Sequence, residues 1–249
     1  MTDPPSLFFA IHRDLPREGP GSAASTRRAL DLARPFLPPA PRVVDVACGP
    51  GAQTLVLLAE LPGAEVTAFD LHAPFVDQLR RAVAGRPEAG RLAAGEADMR
   101  AWSPSGLVDL VWCEGAAYLM GVEAALARWG EWLRPGGVVA FSDAVWLTDR
   151  PSAAAVAFWA EYPAMRDRAG LERRVLAAGY RLLGSFVLPE ADWWDAYYRP
   201  LEARLAALER RHPDHPELSA ELTAHRREIE VFREHADEYG YLFVVAARG

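Results

Sequence analysis

The stretch that decides the fold is Val43-Val44-Asp45-Val46-Ala47-Cys48-Gly49-Pro50-Gly51. A short apolar run enters a glycine turn, and Gln53–Leu61 follows with helical spacing. Glycine lets a turn take positive φ and removes the Cβ that would keep a ligand away. The helix start behind the turn offers unpaired N–H groups. Nicotinamide and flavin enzymes use a turn of this kind, so the turn alone does not name the ligand. Asp45 points away from a dinucleotide. It stands four residues before Gly49, suited to a cationic ligand group and repulsive to a pyrophosphate. Thr54 also stands where a dinucleotide fingerprint wants its third glycine.

Outward from this turn the chain alternates short apolar runs with amphipathic ones, the pattern of a parallel sheet wrapped by helices. Val43–Ala47, Glu65–Phe69, Arg91–Ala94, Leu107–Cys113 and Gly137–Ser142 read as strands. Tyr180–Leu188 and Tyr241–Ala247 bring the sheet to seven. Pro74–Ala84, Val122–Leu133 and Leu171–Ala178 read as helices, and Phe158–Pro163 as the end of another. Two long helical stretches, Trp193–Arg211 and Pro216–Asp237, carry apolar stripes that imply a buried pair. The expected division is one domain over 1–249. Its sheet core covers about 36–146, 180–188 and 239–249; a helical cap comes from 1–30, 147–179 and 189–238.

Composition narrows the class. An apolar share of 51% excludes disorder. Net charge is −7, which gives nothing to counterion release, so nucleic acid is not an expected partner. Neither Lys nor Asn occurs, which removes Schiff-base chemistry and the Asn-Pro-Pro-Tyr clamp of some amino-group methylases. Cys48 and Cys113 form no disulfide framework and no metal-ligand spacing. No secretion signal or membrane-length apolar run is read, so the expectation is a cytoplasmic protein, monomer or homodimer, acting on a small molecule.

With Asp45, Gly49, Gly51 and the strand-end acids Asp70 and Asp98 in view, residues 17 to 146 resemble class I S-adenosylmethionine-dependent methyltransferases. The family turn D-x-G-x-G-x-G here reads D-V-A-C-G-P-G, with Ala47 in place of the first glycine. The resemblance implies a Rossmann-like fold: a mostly parallel seven-stranded sheet, helices on both faces and an added cap. It implies S-adenosylmethionine as cofactor and S-adenosylhomocysteine as product. The methionine part would lie on Ala47, Cys48, Gly49 and Gly51, the ribose on Asp70 with Leu71 beside it, and the adenine on Asp98 and Met99. A closer likeness joins the chain to bacterial members of unassigned substrate through Gly19-Pro20-Gly21-Ser22, Glu114-Gly115-Ala116 with Tyr118, and Tyr239-Gly240-Tyr241. It adds Gly21, Ser22 and Glu114 to the cofactor site.

Glu114 and Tyr118 are the candidate catalytic pair, just past the fourth strand where a parallel sheet opens its cleft. Each also has a packing reading, as has every aromatic of the cap; Cys48 serves the turn by its small size. His12 is a candidate for deprotonating a substrate. The rival functions are an NAD(P)-dependent oxidoreductase and a non-catalytic cofactor- or partner-binding protein.

Overall fold

The computed structural model describes residues 7–249. Among these residues eight strands alternate with helices, one more than the sequence implies. The strands are β1 (Arg42–Val46), β2 (Glu65–Asp70), β3 (Leu92–Glu96), β4 (Val108–Glu114), β5 (Leu133–Trp146), β6 (Arg166–Asp167), β7 (Tyr180–Val187) and β8 (Tyr239–Arg248). Around them run α1 (Leu7–His12), α2 (Ala23–Ala33), α3 (Ala52–Glu60), α4 (Ala73–Val83), α5 (Val122–Trp132), α6 (Ala153–Phe158) and α7 (Arg168–Ala177). The cap adds α8 (Glu190–Trp193), a π turn over Trp194–Tyr198, α9 (Arg199–Arg211) and α10 (Pro216–His235).

The sheet follows the order β3-β2-β1-β4-β5-β8-β7, with β6 pairing off the path against β5. All pairs are parallel except those made by β8. The seven strands of the path are the seven expected. The two-residue β6 carries too little pattern to be read, and β5 runs on to Trp146 because β8 pairs with it that far.

Residues of β1 and β4 are buried almost throughout, as a sheet covered on both faces requires. One face packs on α2 and α3 through Ala29, Leu30, Leu57 and Leu58; the other packs on α5 and α7 through Leu126, Trp129, Leu171 and Val175. Asp109, the acid near the start of β4, accepts from the Arg42 backbone N–H and pairs with Arg134.

A separate core holds the cap. Leu201 and Leu205 of α9 meet Leu218, Leu222, Ile229 and Phe232 of α10, with Ile11, Trp193, Tyr198 and Tyr239 filling in. Both leucine-rich stripes are thus spent on each other. Among the described residues no helix is long and apolar enough to cross a membrane.

Candidate active site

A cavity of about 370 Å³ opens where β1, β2 and β4 end, on the side where parallel sheets place their ligands. Its sheet-side wall begins with the β1 turn. Ala47 and Gly49 both take left-handed backbone, φ 52° and 53°. The turn is held by Cys48 N–H to Phe69 O (2.9 Å) and Gly49 N–H to Asp70 Oδ2 (2.9 Å). At Gly51, φ 85°, a side chain would also run into Leu79 of α4, so this glycine seats the helix and does not touch the cavity.

Asp45 departs from expectation. Its side chain is fully buried and lines no part of the cavity. Thr54 Oγ1 donates to its Oδ2 at 2.5 Å and Gln53 Nε2 lies 3.4 Å from Oδ1, so both oxygens turn into the start of α3. Burial pushes its carboxyl up to about 7, against the opposing hydrogen bonds. The direct contact with a cationic ligand group is therefore corrected. Asp45 fixes the turn that forms the wall.

Asp70 lies in the wall, and each oxygen accepts one backbone N–H, Gly49 on Oδ2 and His72 on Oδ1, both at 2.9 Å. A carboxylate has about four acceptor positions, so one remains on each oxygen. Burial raises its pKa, partly offset by those N–H donors. Leu71, Asp98 and Met99 complete this side, Leu71 with 63% of its surface exposed.

The expected catalytic pair divides. Tyr118 lines the cavity, half-exposed, its ring 5.6 Å from that of Tyr162. Glu114 also reaches the wall, but its oxygens are occupied. Arg17 donates to Oε2 at 2.7 Å, while Thr26 Oγ1 (2.8 Å) and Trp112 Nε1 (2.9 Å) donate to Oε1. Three donors thus hold this carboxylate in place. It braces the segment before α2 against the end of β4. Gly21 and Ser22 belong to the same brace and stand outside the cavity: Gly21 N–H donates to Asp192 O, and Ser22 Oγ caps α2 by accepting from Ser25 N–H. The cavity is met instead by Glu18, Gly19 and Pro20.

Two polar groups escaped the sequence reading. Asp143, one residue past the Ser142 that pairs with Glu114, is buried with Oδ1 lacking a donor and Oδ2 accepting from Tyr162 O–H at 2.7 Å. Burial pushes it up to about 6. It carries the strand-end signal that revealed Asp70. Glu18 carries no such signal. Its stem packs 3.3 Å from where a Gly49 Cβ would stand, and both carboxyl oxygens are withdrawn from solvent. Oε2 lies 2.8 Å from His12 Nδ1, out of line with a ring N–H. His12, expected as a possible substrate base, is fully buried behind this wall.

Comparison with known proteins agrees with the geometry. The model of a methyltransferase domain matches residues 43–137. A trans-aconitate 2-methyltransferase of Paracidovorax citrulli is 32% identical over 202 residues, covering 74% of this chain and 72% of the relative. Among solved structures, the S-adenosylmethionine-dependent methyltransferases of Thiobacillus denitrificans and Geobacter sulfurreducens, each in complex with S-adenosyl-L-homocysteine, superpose with TM-scores of 0.84 and 0.83. Each is 19% identical; they cover 99% and 100% of this chain, and all of their own length.

Proposed function

Because the chain belongs to the class I S-adenosylmethionine-dependent methyltransferases, we propose that its cavity carries a methyl group to a small-molecule acceptor by in-line displacement. Bound there, S-adenosylmethionine supplies a methyl group on an electrophilic sulfonium. The residues present fit it. Asp70 keeps a free acceptor position on each oxygen for the two ribose hydroxyls. The Ala47–Gly49 turn offers backbone without a bulky side chain to the methionine part. Asp98, Met99 and Leu71 line the part of the cavity assigned to the adenine. The single observation that carries this reading is the Asp70 carboxylate, held by two backbone N–H groups at the open end of β2.

Tyr118 is proposed to face the acceptor; Glu114 acts through Arg17 by holding the wall closed. The protein's share is to align acceptor and methyl carbon and to keep water out. Trans-aconitate, the substrate named for the relatives, is a tricarboxylate and is the first acceptor to test.

Calorimetric titration with S-adenosylhomocysteine tests the cofactor. A co-product assay over a metabolite set, trans-aconitate included, with mass spectrometry of the methylated species, tests the acceptor. Efficient turnover of trans-aconitate would name the acceptor; binding of S-adenosylhomocysteine without turnover of any acceptor would favour a non-catalytic cofactor-binding protein.

A further inference from the structure

At the Gly115 end of the cavity, polar side chains from four separate stretches of chain come together. Tyr118 follows β4, Asp143 lies in β5, Tyr162 follows α6 and Tyr241 lies in β8. Gly115 lines the cavity, and its backbone is left-handed at φ 71°. A Cβ there would stand 3.1 Å from Cε2 of the Tyr241 ring and 3.8 Å from its hydroxyl oxygen. Glycine therefore keeps the partition between the cavity and Tyr241 one backbone thick. Tyr118 stands in the cavity lining, its ring 5.6 Å from that of Tyr162, and Tyr162 O–H donates to Asp143 Oδ2 at 2.7 Å. Tyr118, Asp143 and Tyr162 all act electrostatically on the Tyr241 hydroxyl, which puts the four groups in one cluster.

One oxygen of the cluster is left over. Asp143 is 1% exposed, and its Oδ1 has no donor among the described residues. A buried carboxylate oxygen in that position is destabilising until something donates to it. The cation that acts on Asp143, Arg174, is paired with Glu123 at 2.9 Å. Burial pushes Asp143 up to about 6, so Oδ1 is still an acceptor at neutral pH. Burial, with Asp143 adding to it, also pushes the phenols of Tyr118, Tyr162 and Tyr241 up, and each keeps its hydrogen. Among the described residues no hydrogen bond holds the hydroxyl of Tyr118 or of Tyr241. The cluster thus offers two hydroxyls that can donate or accept, and one oxygen that only accepts.

We infer that the methyl acceptor is a small molecule bearing an O–H or N–H group, and that this group docks at the Gly115 end of the cavity by donating to Asp143 Oδ1. This seat rests on the methyl-transfer reading and adds the acceptor's class to it. Tyr118, 42% exposed, turns aside to admit the group; its hydroxyl and that of Tyr241 then flank the group from the β4 and β8 sides. Tyr162 holds Oδ2 and so keeps the Asp143 carboxylate from rotating. The Ala47–Gly49 turn lines the same cavity as Gly115 and Tyr118, so acceptor and cofactor share one space. An acceptor that presents only ionised carboxylates has no hydrogen for Oδ1 and sets like charge against it.

Ethanolamine, which carries both an O–H and an ammonium group, probes the seat, and acetate, an ionised carboxylate of similar size, is the contrast. Each is titrated into protein saturated with S-adenosylhomocysteine and labelled with ¹³C at the aspartate carboxyls and tyrosine rings. The Asp143 signal is the one missing from Asp143→Asn. Ethanolamine should move that signal and the Tyr118 and Tyr241 ring signals saturably, and acetate should not. Asp143→Asn keeps an acceptor for Tyr162 but turns a donor towards the seat. It should weaken ethanolamine binding, read on the tyrosine rings, by about tenfold or more, with affinity for S-adenosylhomocysteine unchanged. Tyr241→Phe leaves the ring on Gly115; it should weaken ethanolamine by about two- to tenfold, and it decides the matter if Asp143→Asn does not fold. An Asp143 signal that ethanolamine leaves in place, or that acetate moves, would overturn the inference. So would equal losses of ethanolamine and S-adenosylhomocysteine affinity in Asp143→Asn, the mark of a structural role. Failure of S-adenosylhomocysteine to bind wild-type protein would refute the methyl-transfer reading, while the same titration of the free protein still reads the seat.

Discussion

The sheet side and the cap side of the molecule surround their buried acids by opposite means. On the sheet side, Asp45, Asp70 and Glu114 are met by Thr54, Gln53, Thr26, Trp112 and the backbone of Gly49 and His72, donors that keep their protons, with Arg17 as the one cation. On the cap side, Glu18 meets His12, His12 meets His225, and Glu228 lies with Tyr197 and Tyr198, so every partner can itself ionise. The first arrangement fixes geometry. The second leaves Glu18 without a hydrogen-bond donor, at the cost of burying groups that water would hold better.

The largest test of that contrast is the pH dependence of Asp45. Unfolded, it ionises near the ordinary aspartate value; folded, it keeps its proton up to about pH 7. Its contribution to stability is therefore whole below about pH 4 and is lost as pH rises to about 7. Asp45→Asn removes that loss. Urea unfolding across the range should show the variant gaining on wild type by up to about 4 kcal/mol. A constant difference would mean that Asp45 is ionised in the fold. Next comes the brace. Arg17→Ala strands Glu114 with two neutral donors and should cost about 3 kcal/mol in thermal or chemical unfolding, the low end for breaking a buried ion pair. A loss below about 1 kcal/mol would place Arg17 among ordinary surface pairs.

Asp70→Ala tests the ribose contact. Affinity for S-adenosylhomocysteine should fall by about 1.5–3 kcal/mol, the range for hydrogen bonds to a charged group, whereas Asp70→Asn, which keeps an acceptor for the turn, should lose affinity with a smaller change in melting temperature. Unchanged calorimetric affinity would move the ribose elsewhere. The smallest effect lies at Ala47, whose φ of 52° costs an L-residue about 1–2 kcal/mol. Ala47→Gly relieves that strain and pays back part of it in unfolded-chain entropy, so a net gain of about 0.5 kcal/mol is expected in denaturant melts.

How much of this could be read beforehand follows the same division. The turn at Gly49 and the acid at Asp70 were legible because a strand, its end and the residue there are contiguous in sequence. Asp45 was legible as a residue and misread in role, since its partners Gln53 and Thr54 come round only once α3 has formed. Glu114 looked like a free acid because Arg17, which occupies it, lies 97 positions away. The cap row was beyond reach, with His12 and His225 separated by 213 positions and no periodicity to join them. Sequence patterns report which face a residue presents, whereas the meeting of two buried polar groups depends on tertiary packing.

The place of β8 has a consequence for the order in which the molecule is assembled. β7 has a single sheet neighbour, β8, which also occupies the edge of β5 through nine paired positions. About fifty residues separate the end of β7 from the start of β8. On a growing chain, β5 must therefore wait with an open edge, and β7 with no partner, while α8, α9 and α10 emerge. Open strand edges invite pairing with other chains, and such long-range closure is slow. A pulse of newly made protein should thus be most prone to aggregation in that interval, when the cap helices are complete and the sheet is not.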